Sequence, residues 1–272
     1  MTTPVAPALA LDNITVTFAA RDSNDTRYTA LKDATLRVAP GEFVSVVGPT
    51  GCGKSTLLNV AVGLLEPSSG SVKVHGQVLE GLNRKAGYLF QTEALMPWRT
   101  ALDNVTAGLE FRGTLRQEAV TRAEHWLSRV GLAGHGHRYP HQLSGGMRRR
   151  VALAQTLILD PEIILMDEPF SALDIQTRQL MENELLELWS ANRKSVVFIT
   201  HDLEEAISLS DRVVVLSAGP ETRVIGEFTI DLPRPRDVAE IRLTPRFVEL
   251  HTSIWHAMKD EVLKGYARTR IQ

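Results

Sequence analysis

The stretch GPTGCGKST carries glycines, a lysine and a serine at the spacing G-x-x-x-x-G-K-[ST]. Glycines let the backbone curl so that successive N–H groups point at one phosphate. A lysine brings a mobile positive charge to the β- and γ-oxygens, and a serine hydroxyl can bind Mg²⁺. We therefore predict a nucleotide-phosphate loop with Lys54 on phosphate and Ser55 on the metal. Its residues are Gly48, Pro49, Thr50, Gly51, Cys52, Gly53, Lys54, Ser55 and Thr56.

Two carboxylates end the apolar run ILMDE. Mg²⁺ keeps most of its water and needs one or two carboxylate oxygens near the phosphates, a role that suits Asp167. Phosphoryl transfer to water also needs a group that orients or deprotonates the water, a role that suits Glu168. An Asp-Glu pair at a strand end is usually a solvated turn, but a phosphate loop on a neighbouring parallel strand favours the catalytic interpretation.

Gln91 and His201 each end another apolar run of the chain. In open α/β sheets, ligands bind beyond the carboxyl ends of the strands, where both side chains would lie. Glutamine can contact Mg²⁺ or water, and histidine can reach a γ-phosphate oxygen. Either residue alone would be read as an ordinary hydrogen-bonded polar residue. Their matching positions favour the functional interpretation.

A second possible phosphate cradle lies far along the chain, in LSGGMRRR. The first N–H groups of a helix have no partner within the helix, and the positive end of the helix dipole lies there. The turn Ser144, Gly145 and Gly146 therefore predicts a second anion site. One chain therefore carries two predicted phosphate-binding segments, and their separation in sequence requires an explanation.

Apolar patterns place these residues on a regular scaffold. Residues 9–47 predict short alternating strands, and FVSVV, AGYLF, IILMD, SVVFI and RVVVL predict strands of a buried sheet. Helical patterns alternate with these strands, which is typical of a parallel sheet covered on both faces. Between them, residues 92–144 show no strand signal, and 115–132 predict a helix.

The C-terminal part of the chain carries a further helical pattern. Apolar residues recur at helical spacing at Phe247, Leu250, Ile254, Trp255, Met258 and Val262. Two interpretations stay open. The helix packs on the core, or its apolar face serves regulation or oligomerisation.

Composition limits the class of protein. The chain has 272 residues, 43% of them hydrophobic, and a formal net charge of −2, which gives no support to nucleic-acid binding through a basic surface. One cysteine excludes an internal disulfide and fits a reducing compartment. No stretch approaches the ~20 apolar residues that span a bilayer, and the N-terminus lacks a secretory pattern. We expect a soluble protein that reaches a membrane only through a partner.

Six motifs together resemble one family. The phosphate loop, Gln91, LSGGM, ILMDEP, SALD and THD occur in the order and spacing of ABC-transporter ATP-binding subunits, over roughly residues 9–220. LMPWRTALDNV and DLPRPRD are similar to the nitrate/sulfonate/taurine importer group. The resemblance implies an α/β fold: a P-loop NTPase (RecA-like) parallel-sheet core, an N-terminal antiparallel β-subdomain and an inserted α-helical subdomain with the signature motif.

The resemblance also divides the chain into three parts. It implies an ATP-binding core over residues 1–91 and 151–221, which includes the antiparallel β-subdomain. It implies a helical subdomain over 92–150 and a C-terminal tail with an amphipathic helix over 222–272.

The family arrangement explains the two cradles. In such ATPases two chains meet head to tail, and Ser144, Gly145 and Gly146 of one chain close the ATP site of the other. ATP then clamps a homodimer and hydrolysis releases it. Lys54 and His201 would hold the γ-phosphate.

The resemblance assigns further contacts. Phe18 would stack on adenine, with Tyr28 as the alternative, and Asp174 would contact the facing subunit. Gln91, with Asp167 and Ser55, would hold Mg²⁺. Gln91 and the segment Met96–Arg99 would line a groove for the membrane permease, although Trp98 could equally be a core residue.

The chain departs from the family pattern within the signature helix. Met147 replaces the usual Gln, Arg149 stands where the importer group usually has Gln, and Gln155 stands where it usually has Arg. The positive charge is moved along the helix, which leaves the strength of coupling open. The histidines of GHGHRYPH lack the companions of a metal site, and Cys52 is expected to be a small filler in the loop.

The sequence thus predicts an ATPase at the cytoplasmic face of the inner (plasma) membrane, bound peripherally to a permease. It would power uptake of a small anionic solute delivered by a periplasmic or extracellular solute-binding protein. One rival is a soluble ABC-type ATPase that acts on nucleic acid or ribosomes, and another is a P-loop kinase, which leaves LSGGM and SALD unexplained. The identity of the solute is not encoded in this chain.

Overall fold

A computed structural model describes residues 6–19, 27–92, 94–171 and 173–269. Residues 20–26, within the region predicted as short strands, and Ala172 of the SALD motif lie outside the described residues. No helix in the described ranges is both long enough and apolar enough to cross a membrane.

A six-stranded sheet forms the centre of the molecule, in the order β10-β9-β3-β8-β7-β6. Its neighbouring strands from β9 to β6 are parallel, and β10 pairs antiparallel with β9. The strands are β3 (Phe43–Val47), β6 (Ala86–Leu89), β7 (Ile163–Asp167), β8 (Ser195–Ile199), β9 (Arg212–Leu216) and β10 (Val224–Thr229). Every residue of β3, β7 and β8 is buried, as expected for parallel strands covered on both faces. The parallel-sheet prediction is confirmed.

A second, antiparallel sheet packs against this core, in the order β2-β1-β4-β5. It consists of β1 (Leu9–Phe18), β2 (Tyr28–Val38), β4 (Ser69–Val74) and β5 (Gln77–Val78). Apolar residues of β1, β2 and β4 share one hydrophobic cluster with the first helix and with one face of the central strands. This packing fixes the phosphate loop between the two sheets.

Helices cover the central sheet and form the inserted helical region. They are α1 (Lys54–Val62), α2 (Ala101–Phe111), α3 (Arg116–Arg129), α4 (Gly145–Leu157), α5 (Ile175–Ala191), α6 (Leu203–Leu209), α7 (Val238–Ile241) and α8 (Pro245–Thr269). Within the inserted region α2 packs on both α3 and α4. Apolar residues of α2, α3 and α4 share a cluster with β7, β8 and α5, so the insertion is packed on the sheet.

Three elements differ from the sequence expectation. The sequence pattern predicts a helix over Arg148–Leu159, but helix α4 begins at Gly145. The Ser144 hydroxyl accepts a hydrogen bond from the Met147 N–H at 3.2 Å and caps the helix there. Helix α2 was not separately predicted. Strand β10 was missed because it is a half-exposed edge strand interrupted by Gly226, and it lies within the segment assigned to the tail. The division of the chain at residues 91, 150 and 221 stays a prediction.

Helix α8 packs back on the core. Phe247, Leu250, Ile254 and Met258 are buried in one cluster with residues of α6 and β9, whereas Trp255 stays 40% exposed. The helical spacing seen in the sequence therefore marks a packed face.

We predict that Ile254→Ala destabilises the whole chain. Ile254 has no exposed surface, so truncation removes buried contacts and leaves a cavity, at a cost of about 2–5 kcal/mol. The measurement is urea unfolding followed by circular dichroism. Leu263→Ala on the same helix is the control, because Leu263 is 58% exposed and should change stability by less than about 0.5 kcal/mol. Equal effects of the two variants would show that α8 is not part of the cooperative core.

Candidate active site

The phosphate loop connects β3 to α1 and has the conformation that its glycines allow. Gly51 and Gly53 have φ values of +74° and +105°, a region that other residues rarely adopt. A side chain on Gly53 would also lie 3.2 Å from Leu31 of β2. Helix α1 begins at Lys54, so its unpaired N–H groups face the curl of the loop.

The Lys54 side chain is held inside this loop. It is 5% exposed, and its Nζ donates to the carbonyls of Gly48 and Pro49 at 2.9 and 3.1 Å. The same Nζ lies 4.0 Å from Oε1 of Glu168. The ammonium thus lies between the loop backbone and the Glu168 carboxylate.

Glu168 is where the predicted site residues meet. Its Oε2 accepts a hydrogen bond from Gln91 Nε2 at 3.4 Å and lies 3.1 Å from His201 Nδ1. Gln91 follows β6, Glu168 follows β7 and His201 follows β8, so three neighbouring strand ends converge on one carboxylate. Glu168 itself has a φ of +43°, a strained conformation that recurs at functional sites.

Asp167 lies deeper, at the end of β7. Burial raises the pKa of its carboxyl, against the hydrogen bond to Ser55 and the charge of Lys54, which lower it. Its Oδ1 is buried and has no hydrogen-bond partner. A buried carboxylate oxygen without a partner, beside a hydroxyl, suits a hard cation, since Mg²⁺ prefers oxygen ligands. Ser55 and Asp167 therefore have the chemistry that the predicted metal role needs, whereas the metal role of Gln91, whose amide donates to Glu168, stays a prediction.

A cleft of about 470 Å³ joins these groups. Its lining residues are Thr50, Gly51, Gly53, Lys54, Ser55, Thr56, Gln91, Glu168 and His201. Cys52 points away from it: the side chain is buried, its Sγ lies 3.1 Å from the Cβ position of Gly48, and burial raises the pKa of the thiol. Cys52 is a filler, as expected.

Gly48, Pro49 and Thr50 also line an adjoining cleft against α8. Its other walls include His201 and Trp255, and Gly265 of α8 approaches Pro49 closely. The contact between the C-terminal helix and the phosphate loop was not expected from the sequence.

The second cradle is separate from this cleft. Ser144 and Gly145 are exposed, and neither they nor Gly146 line the cleft of their own chain. Gly146 lies beside Thr177 in the first turn of α5, and Asp174 caps that helix by accepting from the Thr177 N–H at 2.9 Å. The signature turn (residues 144–146) and the SALD segment (residues 171–174) thus lie next to each other on one surface of the molecule.

The two candidates for adenine stacking are direct neighbours. Phe18 and Tyr28 are paired across β1 and β2, and they are 41% and 48% exposed. Either ring is free to stack on a base, so the choice between Phe18 and Tyr28 stays a prediction.

A groove of about 320 Å³ runs between β6, α2 and α4. Phe90, Thr92 and Met96 from the segment after β6 line it, with Phe111 of α2 and Gln155 of α4. Trp98, two residues beyond Met96, is 74% exposed and so is not a core residue.

Two arginines support the site, and the sequence did not reveal their roles. Arg149 donates to the carbonyls of Phe90 and Gln91, at the end of β6. Arg178 donates to the Leu173 carbonyl and to Asp202, both at 3.2 Å, and so joins the SALD segment to the segment after His201. Phe90, Gln91 and Asp202 lie 59, 58 and 24 positions from their arginines, and no local pattern can show such contacts.

Comparison with known proteins finds a matching family and relatives that are named ATP-binding proteins. Residues 31–171 match the ABC transporter family. An uncharacterized ABC transporter ATP-binding protein from Methanocaldococcus jannaschii is 48% identical over 94% of this chain and 93% of its own. A taurine import ATP-binding protein from Pelagibacter ubique is 41% identical over 86% and 90%. A nitrate import ATP-binding protein from Synechococcus elongatus is 40% identical over 83% of both chains.

Solved structures resemble the fold as well. A dimeric ATP-binding cassette in a post-hydrolysis state, bound to ADP and Pi, superposes with a TM-score of 0.73. It is 34% identical and covers 83% of this chain and all of its own.

We predict that Asp167→Asn stabilises the nucleotide-free chain while it abolishes activity. A carboxyl whose pKa is raised by folding binds protons more tightly when folded, so stability falls as the pH rises from the ordinary Asp value through the raised one. At pH 7 the variant lacks this penalty and should melt at a higher temperature. The gain should shrink as the pH falls toward the ordinary Asp pKa.

Removal of the carboxylate predicted to bind the metal should lower Mg²⁺-dependent ATP hydrolysis by about 100-fold or more. Calorimetry measures the melting temperature, and phosphate release measures the rate of ATP hydrolysis. Asp260→Asn, at an exposed position on α8, should change neither. A lower melting temperature for Asp167→Asn at pH 7 would contradict the argument from burial.

Proposed function

The chain belongs to the ABC transporter ATP-binding family, and from that premise we propose that it energises a membrane importer as an ATP-hydrolysing homodimer. The solute proposed is small and anionic, of the nitrate, sulfonate or taurine kind. The observation that carries the proposal is the position of Glu168, within 4.0 Å of Lys54 and in contact with Gln91 and His201. Such a constellation serves hydrolysis of a phosphate bound in the adjacent loop.

Each residue of the cleft has a part in this chemistry. The loop amides and Lys54 bind the β- and γ-phosphates, and Lys54 offsets the negative charge that develops there. Glu168 orients the attacking water and accepts its proton, while His201 donates to a γ-phosphate oxygen. Gln91 holds the other side of the water and keeps Glu168 in place.

Mg²⁺ would be held by Ser55, Asp167 and Gln91. When bound, it neutralises phosphate charge and fixes the geometry of the phosphates. The orphaned Oδ1 of Asp167 would then gain a partner. Binding requires the ionised carboxylate, so a lower pH weakens it.

Ser144, Gly145 and Gly146 would act in the second copy of the chain. They are accessible, yet they do not line the cleft of their own chain. In a two-fold, head-to-tail dimer each signature turn meets the phosphate loop of the partner and binds the γ-phosphate with its N–H groups and hydroxyl. The dimeric cassette to which this chain is similar supports that assembly.

The γ-phosphate would then control the assembly. While it is present, both cradles bind it and the two copies stay together. After hydrolysis the shared contact is lost, so ATP and ADP favour different states of the dimer.

The groove between β6, α2 and α4 is the proposed docking site of the permease. It is lined by apolar residues of the segment after Gln91, so an inserted helix of the permease would contact that segment directly. The chain would act at the cytoplasmic face of the plasma membrane as a peripheral subunit. A solute-binding protein would contact the permease, and the residues that select the solute would lie in those partners.

Relatives at 40–42% identity are named taurine or nitrate import ATP-binding proteins, which favours import of an anion. The rival, a soluble ATPase acting on nucleic acid or ribosomes, gains no support from the net charge of −2. A P-loop kinase would leave the exposed signature turn without a use.

We predict that Glu168→Gln traps an ATP-bound dimer. Loss of the base should lower hydrolysis by about 100-fold or more, while the phosphate contacts remain. Size-exclusion chromatography with light scattering, in ATP and Mg²⁺, should show a dimer that persists, and ADP should give monomer. Glu124→Gln, exposed on α3, serves as the control and should hydrolyse ATP normally. Only monomer at saturating ATP would reject the shared site.

We predict that Trp98→Ala weakens recovery of the permease. A tagged chain purified from native membranes in mild detergent should bring down a multi-span membrane protein. The exposed indole, two residues beyond Met96 of the groove, would supply apolar contact, so its loss should reduce the recovered permease several-fold. Leu243→Ala removes an equally exposed apolar side chain elsewhere and should leave recovery unchanged. If the wild-type chain recovers no membrane protein, the transport proposal fails and the ATPase chemistry remains.

A further inference from the structure

Arg149 is a buried cation that donates hydrogen bonds to backbone carbonyls in the segment after β6. It lies in the second turn of α4, is 2% exposed, and donates from Nη1 to the Phe90 carbonyl at 2.9 Å. Its Nη2 donates to the Gln91 carbonyl at 2.5 Å. Charge-assisted bonds of this kind are stronger than neutral ones, and two parallel donors fix orientation as well as distance.

These two bonds join α4 to the catalytic carboxylate. On one side, α4 begins at the signature turn, with Ser144 as its cap. On the other side, the Gln91 amide reaches Glu168 at 3.4 Å. Signature turn, helix, guanidinium, Gln91 and Glu168 therefore form one continuous path of bonded groups.

The same helix forms a wall of the groove. Ala152, Gln155 and Thr156 of α4 line it together with Phe90, whose carbonyl Arg149 holds. A protein segment that enters the groove would contact both α4, which carries Arg149, and Phe90, whose carbonyl Arg149 binds. A helix moves as a rigid body more easily than it deforms, so displacement of α4 is passed on through its side-chain bonds.

We propose that Arg149 is a positioning residue that couples α4 to Gln91, so that contacts made at the signature turn or in the groove set the position of the catalytic carboxylate. The idea deepens the proposed function and rests on it for the identity of the two stimuli. A guanidinium suits this task because it bonds two consecutive carbonyls at once, whereas methionine bonds neither and lysine presents only a point charge.

The first test uses the purified full-length chain and measures ATP hydrolysis. Arg149→Met should lower kcat about tenfold and leave KM for ATP within about twofold, because the phosphate loop is untouched. Arg149→Lys should recover part of the loss. In a Gln91→Ala background, Arg149→Met should have no further effect on kcat, since the group through which it acts is gone.

Arg150→Met is the matched control. Arg150 is the next residue of α4, its side chain is 19% exposed, and it pairs with Glu184 at 3.3 Å without reaching residues 90 and 91. It should change kcat less than twofold. In the double variant with Gln91→Ala, the fold-change in kcat should equal the product of the two single fold-changes, as for independent sites. If Arg149→Met also multiplies with Gln91→Ala, or if both arginine variants lower kcat in proportion to their melting temperatures, the role is structural and the proposal is overturned.

Hydrogen exchange supplies a readout that does not require activity. Arg149→Lys, the milder variant, should raise exchange in the peptide that covers residues 86–92 and leave α1 unchanged. Equal exchange in that peptide would overturn the proposal even if kcat fell. Failure to recover any permease would instead defeat the proposed function, and the kcat and exchange pattern would still decide the role of Arg149.

Discussion

The ion pair between Lys54 and Glu168 is the interaction on which the site depends. At 4.0 Å, with the lysine almost entirely buried, the two charges hold the phosphate loop against the end of β7. Burying an ammonium is costly unless it is paired and hydrogen-bonded, and here two loop carbonyls complete its shell. Under the proposed function, phosphate oxygens would replace these carbonyls around Nζ, in a loop that already has its curled backbone.

The rest of the cleft follows from the topology of the sheet. Parallel strands end at the same edge, so residues far apart in sequence meet there with little adjustment. Gln91 and His201 reach Glu168 from the strands on either side of β7. Apolar strands buried on both faces fix that edge, and the unusual backbone of Glu168 is tolerated because its neighbours leave it no other arrangement.

Arginine provides the connections between parts that the sheet does not join. Arg178 links the SALD segment to the segment after His201, and Arg149 links α4 to the segment after β6. A planar fork with several donors can hold two backbone carbonyls or a carbonyl and a carboxylate at once. The SALD segment and helix α4 are thereby bonded to the segments that carry His201 and Gln91 of the cleft.

The sequence alone determined the phosphate loop, the paired carboxylates and the parallel core, because each has a local cause. Glycine spacing, strand-end carboxylates and apolar runs are visible within a few residues. Tertiary structure decided the remainder. Residues Phe18 and Tyr28 became neighbours only through strand register, and Trp98 was shown to be exposed only by the packing around it. The strand at Val224–Thr229 forms because β9 offers an edge, and Arg149 donates to carbonyls 58 and 59 positions away. Such contacts depend on where the chain returns in space, which no local periodicity records.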